Sequence, residues 1–213
     1  MPSSPTKREK GSAVLEFGII ISVLIPLLFG TIAFGVNLGN MLQAAQITRD
    51  IAHMYAKDVD FSTTANKNLA VSLVQGLGGM TVSGGDGVLI LSQIRKVYSA
   101  DCPNPADCPN QGLRVFNHRL VIGDITERTS NFGTPNGGCV VTSDGAISSI
   151  YYQRQAGCVA SNFDDTILPQ AQGDVAYVVE AYFATPNLSF LNASWSGGTA
   201  TGGTTGTYMR AIF

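Results

Sequence analysis

The chain has 213 residues, only 13% of them charged, and thirteen Lys and Arg stand against fifteen Asp and Glu for a net charge of -2. That length suits one domain with an appended segment. A charged fraction about half that of an ordinary soluble domain, with 24 glycines, points to a portion that sits in lipid, and the weak negative charge excludes the basic field needed to hold a nucleic acid.

Residues 1–10 (MPSSPTKREK) are polar and carry Lys7, Arg8 and Lys10 against the single anion Glu9. Phe17 to Val36 then supplies 20 residues without a charge, enough to cross a bilayer as a helix. Cations before the apolar run, and the balanced pair Arg49 and Asp50 after it, predict a cytoplasmic N-terminus and an exported remainder. The run is longer than the roughly 7 to 15 residues of a secretory signal, and bulky Phe29, Ile32 and Phe34 interrupt the small residues near its end.

Glu16 breaks the pattern of a simple anchor, because it opens the apolar run behind Gly11-Ser12-Ala13-Val14-Leu15. Cleavage between Gly11 and Ser12 would remove the basic leader and leave Glu16 one helical turn from a new cationic α-amine. The words Gly11-Ser12-Ala13-Val14-Leu15-Glu16-Phe17 and Pro26-Leu27-Leu28-Phe29-Gly30-Thr31-Ile32-Ala33-Phe34-Gly35 resemble the prepilin leaders of type IV pilus systems. More closely, they resemble the TadE-like minor pilins of the Tad pilus. The resemblance covers about residues 8–57, with vaguer similarity in Gly173 to Val179 and in Met209-Arg210. Ala33 stands where members of that family often have a second glutamate.

An ionised acid at the centre of a bilayer costs about 2.5–3.5 kcal/mol, less near the interface. A neighbouring subunit's ammonium beside Glu16 would offset that cost and set the axial stagger of packed helices. The plainer alternative is that Glu16 snorkels at the cytoplasmic face of an uncleaved anchor. Gly30, Gly35 and Gly39 allow close helix approach, Gly35 and Gly39 having the GxxxG spacing, although glycine is also simply common in membrane helices. Pro26 has no N–H for the carbonyl of Ser22, which predicts a kink or a locally melted turn.

Past Val36 the apolar residues thin to Leu38, Met41, Leu42, Ala45, Ala52, Tyr55 and Val59, one face of a helix that leaves the membrane without stopping. A second helix is expected over Ala65 to Leu77, with Thr63 or Thr64 as its cap and Gly78-Gly79 as its stop. Val88 to Tyr98, Leu113 to Ile122 and Val175 to Phe183 read as three strands of an antiparallel sheet, and Tyr208 to Phe213 as a short edge strand. The Gly/Thr tract Gly197 to Thr207 reads as a mobile loop.

Cys102, Cys108, Cys139 and Cys158 allow three pairings, of which neighbour with neighbour is preferred. An exported location favours structural disulfides over a metal or redox site.

No nucleophile elbow, paired zinc histidines, phosphate-binding loop or dinucleotide fingerprint is present, so no catalytic, cofactor-binding or metal residue is assigned. His53 and His118 fall on the long helix and on a strand. Asp164, Asp165 and Asp174 do not have the spacing of a calcium loop and suit turns. Asn187 and Asn192 fit a glycosylation pattern that a bacterial origin would make irrelevant.

The fold class expected is α+β: a long N-terminal transmembrane and amphipathic helix packed on a small antiparallel sheet, stabilised by disulfides. Residues 1–11 would form the leader, 12–37 the assembly helix and 38–213 the exported domain. The resemblance implies a non-enzymatic pilus subunit in the bacterial inner membrane, with a prepilin peptidase, other pilins, the Tad assembly platform and the lipid bilayer as partners. The alternative is a permanently anchored exported binding domain.

Overall fold

The computed structural model describes residues 9–163, 173–184 and 206–213, with side chains from residue 14 onward. The chain runs α1 (Glu9–Ala56), α2 (Thr64–Val74), β1 (Gly87–Lys96), β2 (Arg114–Gly123), α3 (Ser149–Arg154), β3 (Val175–Ala184) and β4 (Gly206–Ile212). The α+β class, the long first helix and the antiparallel sheet are as expected. Asp164 and Asp165, expected in a turn, the sequons at Asn187 and Asn192, and Gly197 to Thr205 lie outside the described residues. Gly206 and Thr207, expected in the loop, belong to β4.

The chain forms two compact units; among the described residues the first takes α1 as far as Asn40 and the second begins at Met41. The second holds the sheet, in the order β2-β1-β3-β4 with every neighbouring pair antiparallel. Between β1 and β2 the register slips: Gln93 faces His118 while Ile94 faces Phe116. Asn117 is thereby bulged, and its carbonyl accepts the Ile147 N–H at 2.9 Å.

One face of the sheet presents Leu89, Leu91, Leu120, Ile122, Val179, Ala181 and Phe183 to the two long helices. From α1 the buried residues are Ala44, Ile47, Ile51, Ala52 and Tyr55. Ala52 and Tyr55 are buried and Val59 packs against the same cluster, as expected, but the earlier part of the expected stripe is not the docking face. Leu38 and Leu42 are exposed, Leu42 to 58%, and Ala45 faces solvent, whereas Thr48 is buried. A polar residue is tolerated in the contact because Thr48 donates its hydroxyl to the Ala44 carbonyl at 2.7 Å. The helix therefore docks on small and β-branched side chains, one position round from the stripe that hydropathy suggests. In α2 the Thr63 side chain accepts from the Asn66 N–H, as expected of a cap, but the helix ends at Val74, with a turn closed by the Leu77 N–H on the Val74 carbonyl.

The other face is covered by the connections, not by a long helix. Phe132, Ile147, Tyr152, Ala160 and Phe163 pack with Ile94, Phe116, Ala176 and Val178. Cys102–Cys108 and Cys139–Cys158 are disulfides, the neighbour pairings, and all four half-cystines lie in this layer. The segment between Cys139 and Cys158 contains α3. Asn110 donates from Nδ2 to the Tyr152 and Gln155 carbonyls at 2.9 and 2.8 Å, closing the end of α3 from a different connection. Arg95 adds an ion pair with Asp101 at 3.1 Å and a hydrogen bond to the Tyr152 hydroxyl.

Because the closures span 6 and 19 residues of sequence, the two disulfides differ in what they take from the unfolded chain's entropy. Replacing Cys139 and Cys158 together with Ser is expected to lower stability by about 3 kcal/mol, and the same change at Cys102 and Cys108 by about 2 kcal/mol. Denaturant titration of the two double variants gives the order; the reverse order would count against loop closure as the dominant effect.

Candidate functional site

In the first unit α1 carries large apolar side chains that stay exposed. Val14, Leu15, Ile20, Leu24 and Leu28 are exposed, Phe17 to 64% and Leu27 to 63%. A run of that extent on a water-facing monomer would far exceed the few hundred Å² usual for exposed apolar patches. Among the described residues α1 is the helix long and apolar enough to cross a membrane, with an 18-residue window of mean hydropathy 2.5. Its hydroxyls suit that role: Ser22 donates to the Ile19 carbonyl at 2.7 Å and Thr31 to the Leu28 carbonyl at 2.8 Å, so neither needs water.

Gly11 and Ser12 lie in helical backbone near the start of α1, and Glu16 is exposed one turn further on. The helix runs through Pro26 without interruption, so the melted turn allowed for at that position is not found. One missing N–H leaves a single carbonyl without its helical partner, which a helix of this length tolerates. A Cβ built on Gly30, Gly35 or Gly39 would meet nothing within 4 Å. Among the described residues nothing fills the space these glycines leave.

A second constellation, not singled out from the sequence, lies in the sheet. Glu180 of β3 is only 2% exposed. Its carboxylate accepts from the Ser130 hydroxyl, from the Asn131 N–H at 2.9 Å and from the Tyr208 hydroxyl at 2.7 Å. Arg119 of β2, 5% exposed, donates to the Ser92 hydroxyl at 2.6 Å and the Gly133 carbonyl at 3.2 Å. Burial pulls the Arg119 guanidinium down to about 10, against the opposing charge of Glu180. Burial, and then Glu180, push the Tyr208 phenol up. The bonds run to protein donors and acceptors, so the cluster acts as a clamp holding Ser130 to Gly133 on the sheet. The sequence did carry a signal for it, one acid within the otherwise apolar strand Val175–Ala184.

The histidines are apart. His53 of α1 packs its ring 4.2 Å from that of Phe213, and His118 of β2 shares a 2.8 Å hydrogen bond with the Tyr55 hydroxyl. Around His118 stand Tyr55 from α1, Asp60 from the α1–α2 connection, Asp144 beyond β2, and Arg119 next along its own strand. Burial lowers the His118 pKa below the usual 6.5, while a hydrogen bond with the Asp144 backbone and the Asp144 and Asp60 carboxylates pull it back. The unfolded chain thus takes up the proton first as pH falls. Stability is expected to decline below about pH 6.5 and to stop declining from this source below the folded pKa. The difference between wild type and His118→Gln in denaturation midpoint from pH 7.5 to 5 checks the sign; a wild type that gains stability relative to the variant on acidification would contradict it.

Gly145 brings the segment after β2 hard against that strand. Its φ is +91°, a Cβ there would stand 2.6 Å from Leu120, and its carbonyl accepts the Arg119 N–H at 2.7 Å. Among the described residues no group of three His, Cys, Asp or Glu is placed to hold a metal.

The family model described as TadE-like protein matches residues 11–53, which cover most of α1. The resemblance carried by Gly11 to Phe17 and Pro26 to Gly35 therefore coincides with the matched segment. No curated protein and no solved structure matches the chain.

Proposed function

Starting from a TadE-like match confined to α1, we propose that this chain is a minor pilin or pseudopilin of a Tad-type pilus. It works by assembly, with no catalysis of its own. The observation that carries the proposal is the exposed apolar run of α1, opened by Glu16 and lying within the matched residues 11–53. Lys7, Arg8 and Lys10 hold the leader in the cytoplasm, and the disulfide-bearing unit lies beyond the inner membrane, where thiols are oxidised. A prepilin peptidase removes residues 1–11, freeing the α-amine of Ser12. The helices then pack side by side, each Glu16 beside a neighbour's ammonium, with room at Gly35 and Gly39 for close approach.

The mass of the mature N-terminus tests this. Protein purified from its native host is expected to begin at Ser12. A leader still attached would leave a permanently anchored exported module.

A further inference from the structure

The two edges of the sheet are treated differently. Beyond β2, the Arg119 N–H donates to Gly145, the Ile147 N–H to Asn117 and the Ala160 N–H to Arg114, with bridges at Val115–Val159 and His118–Ala146. That edge is closed. At the other edge, Tyr177 and Phe213 exchange both backbone bonds, at 2.8 and 2.9 Å. Alternation along an antiparallel pair then gives Val179–Ala211 and Ala181–Met209 the bonds between β3 and β4. Tyr208, Arg210 and Ile212 face their β3 partners across non-bonded positions, so their N–H and C=O groups point away from the sheet. Among the described residues those groups have no backbone partner.

Charge accompanies the open edge. Arg210 is exposed, its guanidinium 5.4 Å from the Phe132 ring, and Arg128 lies 4.0 Å over the Tyr208 ring. Neither has an ion pair among the described residues, and Nε and Nη1 of Arg128 are buried without a hydrogen-bond partner. Glu180, the nearby acid, is occupied by Ser130, Asn131 and Tyr208. A strand edge and two cations that are without a backbone partner and an ion pair, respectively, among the described residues make a template for one kind of visitor, although Arg128 Nη2 also donates to Asn131 Oδ1 at 3.4 Å.

We propose that the outer edge of β4 receives an extended acidic segment of a partner polypeptide as a fifth strand. Its backbone pairs with Tyr208, Arg210 and Ile212, and a carboxylate on the Arg210 side reaches Arg210 and Arg128. A second copy's β4 is the poorer occupant, because two-fold pairing centred on this stretch sets Arg210 near its own counterpart, and like charges across strands repel. The proposal does not depend on the role of α1, so an uncut leader would leave it standing.

The test uses the full chain in detergent micelles and a labelled short peptide of alternating threonine and glutamate, with the threonine–lysine peptide as its opposite. The acidic peptide is expected to bind saturably and to slow exchange of the Tyr208, Arg210 and Ile212 amides. Arg210→Glu and Ile212→Pro are each expected to weaken binding about tenfold or more. Proline at 212 removes an outward N–H while Ala211 and Phe213 keep their bonds to β3. If that variant folds poorly, Arg210→Glu together with a lysine control at the same position carries the comparison. Absent binding, equal binding of the two peptides, or binding indifferent to Arg210→Glu would overturn the proposal. So would protection of these amides that grows with protein concentration without peptide, which assigns the edge to a second copy.

Discussion

Glu180→Ala is expected to cost the folded unit about 3–5 kcal/mol, a large part of the stability of an ordinary domain. The change leaves the Ser130 hydroxyl, the Asn131 N–H and the Tyr208 hydroxyl without their acceptor, and it leaves the buried Arg119 cation without its opposing charge. Each unmet buried donor costs about 1–3 kcal/mol, and the segment from Ser130 to Gly133 loses its hold on the sheet. Glu180→Gln keeps the size and one acceptor but turns an amide N–H₂ toward donors, so its cost is expected to fall between the wild type and the alanine variant. Denaturant titration of the full chain under oxidising conditions gives both numbers. A loss below about 1 kcal/mol for the alanine variant would mean that water replaces the carboxylate and that the clamp is not structural. Removing Arg119 as well, as Arg119→Met, is expected to cost less than the two single changes added, since each single change leaves the other's charge uncompensated.

On the proposed assembly, Glu16→Gln lowers incorporation into pili about tenfold or more without changing the fold or disulfides of the exported unit. Glu16 is exposed in the single chain, and among the described residues it has no hydrogen bond or ion pair to lose. In a bundle of helices within lipid, the carboxylate and a neighbour's α-amine would attract at low dielectric and fix one axial stagger. The amide is inserted more easily but specifies no stagger. Glu16→Asp keeps the charge on a shorter stem and is expected to retain intermediate incorporation. Quantifying the subunit in sheared pili against its level in membranes reads the effect. Equal incorporation of the glutamine variant would leave Glu16 as a residue that merely snorkels at the interface.

The local elements were legible for identifiable reasons. Twenty uncharged residues from Phe17 to Val36 have few fates other than a membrane helix, and β-branched runs bounded by Gly, Asn and Asp specify strands. The neighbour pairing of cysteines follows where short separations meet in one layer. The docking face of α1 was not legible, because Leu38 and Leu42 outrank Ala44 and Thr48 in hydropathy. Hydropathy does not register which side chains are small enough to let a sheet approach, nor that Thr48 satisfies itself on Ala44. α3 was missed for a related reason: six residues are too few for periodicity, and its end is closed by Asn110 from a distant part of the chain.

Composition and order along the chain by themselves determined which stretch is long and apolar enough to cross a bilayer, which segments extend, and that cysteines of its second half pair, since these depend on the free energy of transferring short stretches and on local backbone preference. Only the tertiary structure decided that Glu180 is sealed beneath Ser130 and Tyr208, that Arg119 is buried with it, and that among the described residues one sheet edge is covered while the other has no backbone partner. Those outcomes rest on residues 28 to 77 positions apart meeting with hydrogen-bonding geometry, as Tyr208 meets Glu180 and Asn131, and no window of sequence contains both partners.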